Sequence, residues 1–251
     1  MCTPANTPVH ASDVGSATPT DRALLEEIAI ANRILFDQGV VDAFGHVSLR
    51  HPNRPDRYLL ARNMAPGQVT ADDIIEFDLD SNPVNANGRG MYLERFIHGE
   101  IFRARPDVNS VVHSHSPSVV PFSVVPSVKL RAICHMSGFL GMGAPNFDIK
   151  CFAGDATSLL ITSRELGRNL AETMGDGYAV LMRGHGSTVA ANSLRLAVYR
   201  AVYTEVNAKI QAQASLLGPI EFLTEGEAIA ARDKTEGQVD RPWNLWKARV
   251  S

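Results

Sequence analysis

Two histidines, His113 and His115, stand two residues apart in VVHSHSPS; a third, His185, sits between glycines in MRGHGS, and Glu94 opens the segment ERFIH. The pair follows the apolar run Val111-Val112, which reads as a strand, and side chains two apart on a strand project from the same face, as two ligands of one ion must. His185 follows a second apolar run, Tyr178 to Met182, and the flanking glycines let the backbone turn tightly and a ligand approach closely. Three imidazoles and one carboxylate suit a divalent ion, with Mn and Zn the leading candidates. The bland alternative, four satisfied core or surface residues, accounts less well for His-x-His at one strand end together with Gly-His-Gly after another. Glu94, His113, His115 and His185 are therefore the expected metal ligands.

The elements that must position them follow from periodicity. Leu24, Leu25, Ile28, Ala31, Ile34 and Leu35 recur at helical spacing after Thr20, a candidate cap, and Gly39 ends that helix. Phe44 to Arg50, Tyr58 to Ala61 and Ile74 to Leu79 read as strands separated by the turns HPNRPD and DSNP. Phe96, Ile97, Ile101 and Phe102 mark a helix from Glu94 that Pro106 stops, and Val108 to His115 is the strand carrying the histidine pair. Glu94 thus sits at a helix start facing a strand end. Further along, the sequence predicts a short helix over 117–125, a short strand from Lys129 to His135, a helix over 157–174 ended by Gly175, a strand from Tyr178 to Met182 and a long helix from Ser193 to Leu217. No internal repeat is visible. The organisation expected is a flexible arm over 1–19, one domain over 20–223 and a charged tail over 224–251. Trp243 and Trp246 should pack that tail on the body or on a neighbouring subunit.

With 251 residues of which 45% are hydrophobic, the chain can bury a full core as one α/β domain. A net charge of −3 without a basic run argues against nucleic acid or an anionic membrane as partner, and leaves small molecules. Most positive charge is arginine, which clamps carboxylates bidentately. Cys2, Cys134 and Cys151 lack CxxC spacing, which fits a reducing compartment, and Cys134 and Cys151 read as buried inert thiols. The Pro/Ser/Thr-rich start has no apolar core and no stretch reaches membrane-spanning length, so a cytoplasmic protein is expected.

Taken in order, FGHVSLR, VTADDI, RPDVNSVVHSHSPS and MRGHGS resemble the class II aldolase/adducin superfamily over Leu24 to Leu217. The resemblance implies an α/β/α sandwich with a central, mainly antiparallel sheet, a tetramer or a multiple of one with its site between subunits, and a divalent ion on His113, His115, His185 and Glu94. It makes Glu94 a ligand or an acid/base, and places His98, one helical turn on, behind the ligands or in the core. The departures matter as much. Where phosphosugar members carry small phosphate-binding residues, this chain has Arg62-Asn63 and Tyr92-Leu93, which suits a planar carboxylated ligand better than a tetrahedral phosphate. The family's Gly-Asn is Gly45-His46 here, an imidazole that either serves as proton donor or carboxylate partner, or merely bonds backbone.

GHVSLR, ARNMAPGQVTADDIIEFDLD and GRGMYLERFIHGEIF together are similar to the branch that decarboxylates hydroxylated aromatic and heteroaromatic acids. The expected activity is a metal-dependent decarboxylase of an ortho-hydroxy aromatic or heteroaromatic mono- or dicarboxylic acid, in aromatic catabolism. Glu94 or His46 is the candidate acid. Arg62 and Arg89 are candidates to hold a second carboxylate, Arg89 with the alternative of a solvated glycine-rich loop, and Tyr92 to stack on the ring or donate to it. Aldol cleavage and decarboxylation both leave negative charge for an ion-bound oxygen to take up, so an aldolase or epimerase of an unphosphorylated aliphatic acid is the second expectation. A non-catalytic adducin-like assembly module is the third; a scaffold would be free to lose ligands that are all present here.

Overall fold

The computed structural model describes residues 21–251; the arm over 1–19 and Thr20 lie outside the described residues. Helix α1 (Arg22–Asp37) is capped by Asp21, whose carboxylate accepts from the Ala23 amide. It leads through a turn to β1 (His46–Arg50), β2 (Arg57–Ala61) and β3 (Ile74–Asp78), then α2 (Arg95–Ala104), β4 (Ser110–Ser114) and α3 (Val120–Val124). After β5 (Asn146–Phe147), α4 (Lys150–Ala153) and α5 (Arg164–Met174) come β6 (Ala179–Met182), β7 (Gly186–Ala191) and α6 (Leu194–Leu217). The tail forms α7 (Glu225–Glu236) and α8 (Asp240–Val250).

Alternation along β1 sets the layers. His46, Ser48 and Arg50 point toward α2, where His46 and Ser48 bond the His98 ring and Arg50 donates to Phe102 O. Val47, pointing the other way, joins the core against α1. The seven strands run in the order β3-β2-β1-β4-β7-β6-β5, antiparallel throughout except for the β5–β6 pair. Helices α1 and α6 pack on each other and on β1, β4 and β7, while α2 and α5 form the second layer. This is the expected α/β architecture with a mainly antiparallel sheet.

Antiparallel pairing gathers the site at one end of the sheet. His46 opens β1, His113 lies near the end of β4 and Gly186 opens β7, and the register aligns His46 with His113 and His113 with Thr188. In the tail, Trp243 and Trp246 are buried, Trp243 beneath the Arg195 guanidinium and Trp246 near Tyr203.

Two expected elements differ. Lys129 to His135 is not a strand: its backbone bonds to amide side chains of α6, with Arg131 N donating to Gln211 Oε1, Ile133 N to Asn207 Oδ1, and both amides returning a hydrogen bond to this segment. The helix expected over 157–174 begins only at Arg164, capped by Ser163; the residues before it are irregular, with Leu159 at a positive φ of 67°, and Leu159 O and Ile161 N face the site. Strand β7 has no counterpart in the expectations. The Gly-rich stretch after His135 packs on α7, where a Cβ at Gly138 would come within 2.3 Å of Ala228 O. Among the thiols, Cys134 is half-buried and Cys151 is exposed rather than buried.

Candidate metal centre and cavity

Four side chains from four elements converge. His113 lies in β4, His115 just beyond it, His185 in the turn between β6 and β7, and Glu94 at the N-cap position of α2. Glu94, not capping its own helix, is free to point at the histidines, and the helix N-terminus favours its negative charge. His113 Nε2 stands 3.2 Å from His115 Nε2, His115 Nε2 stands 2.9 Å from His185 Nε2, and Glu94 Oε2 lies 3.4 Å from His113 Nε2 and 3.3 Å from His185 Nε2. Ligand atoms each about 2.1 Å from one ion stand roughly 3.0–3.4 Å apart at a tetrahedral or octahedral edge. The donor set fits a divalent ion on that observation.

The orientation of each ligand is fixed from behind. His185 Nδ1–H donates to Leu159 O at 2.9 Å, leaving the Nε2 lone pair for the centre, and Glu94 Oε1 accepts from Ile161 N at 2.9 Å, leaving Oε2. Both partners come from the irregular stretch ahead of α5. His113 Nδ1 faces Thr188 Oγ1 at 3.4 Å across the β4–β7 pair. Gly186 permits the close pass of β7: a Cβ there would sit 2.0 Å from Ser114 O.

Burial alone would raise the Glu94 carboxyl, but the adjacent His113 ring and hydrogen bonds from His113 and His185 hold it well below the usual carboxylate range. Glu94 is therefore an ionised carboxylate facing the three imidazoles. Burial lowers His185, yet its hydrogen bond and charge interaction with Glu94 outweigh this and raise it. Burial, then the neighbouring His113 and His185, bring His115 down to about 4. An ion requires neutral imidazoles and an ionised carboxylate, the directions in which His115 and Glu94 are displaced.

Beside the centre lies a cavity of about 330 Å³ lined by Glu94, His115, His46, Asn63, Tyr92 and an apolar rim. His46 bonds through Nδ1 to His98 Nε2 at 2.7 Å, and His98 Nδ1 meets Ser48 Oγ at 2.6 Å. Burial and the nearby His98 and His113 hold His46 well below its ordinary value, and burial brings His98 down to about 3. His46 is thus held as an uncharged ring at the cavity wall. Tyr92 stacks obliquely on His46, ring centroids 4.5 Å apart, with its hydroxyl donating to Met64 O.

The two expected arginine clamps lie elsewhere. Arg89 is outside the cavity lining, its guanidinium donating to the backbone oxygens of Ala86, Asp72, Ile74 and Asn85, and it ties down its own loop. Arg62 likewise is not in the lining and pairs through Nε with Asp73 at 2.7 Å. Asp73 also closes the capping box with Thr70, which gives VTADDI a structural role. Sequence reasoning missed Ser48, Phe44, Met64 and Leu160 and the backbone groups of Leu159 and Ile161. Phe44 and Met64 lie within quoted motifs, so adjacency to His46 and Asn63 was their one available signal.

Residues 26–212 match the model of the class II aldolase and adducin N-terminal domain. Decarboxylase tropJ of Talaromyces stipitatus is 41% identical over 240 residues, covering 86% of this chain and 90% of that protein. The 3,4-dihydroxyphthalate decarboxylase of Arthrobacter keyseri is 36% identical over 211 residues, covering 77% and 79%. Among solved structures, an aldolase II superfamily protein from Pseudomonas syringae superposes with a TM-score of 0.75 at 21% identity, over 93% of this chain and 94% of that one. L-fuculose 1-phosphate aldolase from Glaciozyma antarctica does so with 0.74 at 20% identity, over 96% and 94%; both likenesses are of fold. With its ligand histidines, its sheet order and its sequence all in agreement, the chain belongs to the class II aldolase and adducin family.

Proposed function

We propose that the protein is a metal-dependent decarboxylase of an ortho-hydroxy aromatic or heteroaromatic acid. The observation that carries this is the juxtaposition of the Glu94–His113–His115–His185 cluster with a cavity of ring size whose walls are largely apolar. The relatives named as decarboxylases support it. Assembly as a homotetramer or a multiple, and a cytoplasmic location, belong to the same reading; among the described residues no helix is long and apolar enough to cross a membrane. The intact ligand set weighs against a purely structural module, and the aldolase reading stays as the outcome that the test below separates.

Decarboxylation of an ortho-hydroxy acid removes carbon dioxide and adds one proton to the ring. A proton taken up at the carboxyl-bearing carbon makes the substrate a β-keto acid; when the bond to the carboxylate breaks, its electron pair flows to the ring oxygen and aromaticity returns. An ion held by the four ligands supplies positive charge at that oxygen. Glu94, kept ionised by its surroundings, serves as ligand and leaves the proton to water. Run in the direction Ser48 Oγ–H to His98 Nδ1 and His98 Nε2–H to His46 Nδ1, one of the two directions these contacts allow, the hydrogen-bonded chain keeps a proton on His46 Nε2 for the cavity. That neutral N–H donates to the oxygen on which charge builds, a bond stronger in the transition state than in the ground state. Tyr92 and the apolar rim would flank the ring.

Metal-loaded protein incubated in deuterated water with ortho-hydroxy aromatic acids tests the reading. Carbon dioxide release with deuterium at the vacated ring carbon is expected. No product from any such acid, with cleavage of an aliphatic hydroxy or keto acid instead, would replace it by the aldolase reading.

A further inference from the structure

We infer that Arg164 and Glu100, neither of them a ligand nor a wall of the cavity, are positioning residues for the metal centre: their ion pair fixes the segment over 155–163 against α2 and so aims Glu94 and His185 at one point. The inference rests on the reading of the four-residue cluster as an ion site, and not on the reaction carried out there. Among the described residues, no backbone–backbone hydrogen bond holds 155–162. The ties of this segment are to side chains: Leu159 N donates to Thr157 Oγ1 at 3.1 Å, Leu159 O accepts from His185 and Ile161 N donates to Glu94. Leu159 sits at a φ of 67°, in the left-handed region that a leucine adopts only where its surroundings require it. A segment with no ladder of its own takes its position from where its ends are fastened.

The C-terminal end is fastened three residues beyond Ile161. Arg164 opens α5; its Nε donates to Glu100 Oε1 at 2.8 Å and its Nη1 stands 2.8 Å from Asp80 Oδ1. Glu100 is buried on α2, six residues and about 9 Å along the helix from Glu94. Close packing keeps the two helices in register, since a Cβ at Gly167 would stand 2.5 Å from Phe96 O and 3.2 Å from Glu100 Cγ. Helix α2 therefore acts on the centre twice: directly through Glu94, and through Glu100 and Arg164 on the segment whose amide holds the other oxygen of Glu94. An ion pair with a buried partner is weak evidence of stability, but it can fix one arrangement over others, which is what a ligand set needs. Arg103, on α2 itself, stands 3.6 Å from the same Glu100 oxygen. It can balance the buried carboxylate when Arg164 is replaced, but it cannot tie α2 to the segment.

Calorimetric titration of the metal-free full chain with Zn and with Co tests it, together with the visible absorption of the Co-loaded protein, which reports ligand geometry. Arg195 supplies the matched control: its side chain is 40% exposed against 41% for Arg164 and it too bridges two carboxylates, Glu27 and Asp240, but beyond the opposite end of β7. Arg164→Gln is expected to bind both ions about tenfold more weakly, as when a residue that orients a ligand from behind is lost, and to change the Co absorption. Arg195→Gln is expected to lower Tm comparably while leaving both readouts at wild type. Arg164→Lys, which keeps the charge, should fall between wild type and Arg164→Gln, and is read alone should Arg164→Gln not fold. Wild-type affinity and absorption in the folded Arg164 variants, or an equal loss of affinity in Arg195→Gln, overturns the inference and leaves the ion site standing; a wild-type chain that binds neither ion overturns the two together.

Discussion

Replacing Gly186 by alanine tests how tightly the fold and the metal centre are tied. The added Cβ would lie 2.0 Å from Ser114 O, 3.0 Å from Ser114 C and 3.1 Å from His115 Cα, all of them backbone. None can swing aside as a side-chain end can, so β7 and β4 must separate by more than an ångström where Ser114 pairs with Ser187. Overpacking of this kind costs about 1–3 kcal/mol and a lost ladder hydrogen bond about 1 more. The expected destabilisation is about 2–4 kcal/mol, or a Tm lower by roughly 5–15 °C for a chain of this size. Separation displaces His115 and His185 together, and since ligand positions tolerate only about 0.2 Å, ion affinity should fall on the order of a hundredfold. Gly226, in α7 with nothing within 4 Å of its would-be Cβ, is the control: Gly226→Ala should raise stability by about 0.5 kcal/mol through helix propensity. Thermal melts of both variants, metal-free and Zn-loaded, decide it. A Gly186→Ala protein that melts within a degree or two of wild type and binds Zn normally would refute the close-approach argument.

Three further perturbations follow from the same geometry. His98 is fully buried with its pKa brought from 6.5 to about 3, so as pH falls through 6.5 the unfolded chain takes up a proton that the folded chain takes up only near 3; stability is then lost over that window, by about 2 kcal/mol at pH 5 from this group. Denaturant titrations of metal-free wild type and His98→Gln at pH 7.5 and 5 should show that difference in slope, and parallel losses would contradict it. Glu94→Gln, keeping shape but removing charge, should weaken ion binding by ten- to a hundredfold in equilibrium dialysis while leaving the fold intact; unchanged affinity would remove Glu94 from the ligand set. Arg89→Ala should lose about 1–2 kcal/mol of stability, because four loop carbonyls lose their donor, with KM for substrate unchanged; a raised KM on an unchanged stability would return Arg89 to the role of clamp.

The convergence of Glu94, His113, His115 and His185 was legible because its signals are local. His-x-His on an apolar strand and a histidine between glycines carry their geometry in their spacing, and a glutamate at a helix start does the same. What could not be read depends on partners distant in sequence. The stretch from Lys129 to His135 has the apolar pattern of a strand, but Asn207 and Gln211 on α6 satisfy its backbone instead. The segment before α5 was absorbed into a helix by its composition, although its amide and carbonyl hold Glu94 and His185. Arg62 and Arg89 have the right residue type for a carboxylate clamp, and only folding shows that Asp73 and the loop carbonyls engage them. The His46–His98–Ser48 chain joins β1 to α2 across some fifty positions, a contact no spacing announces.

The central claim is that an ion held by Glu94, His113, His115 and His185 is required for loss of carbon dioxide. Exhaustive chelation followed by titration with Mn or Zn, with carbon dioxide release from an ortho-hydroxy aromatic acid as readout, tests it directly. The account predicts that release stops on chelation, returns in full at one ion per chain, and does not return in His113→Ala. Release that persists undiminished in the metal-free protein would contradict it.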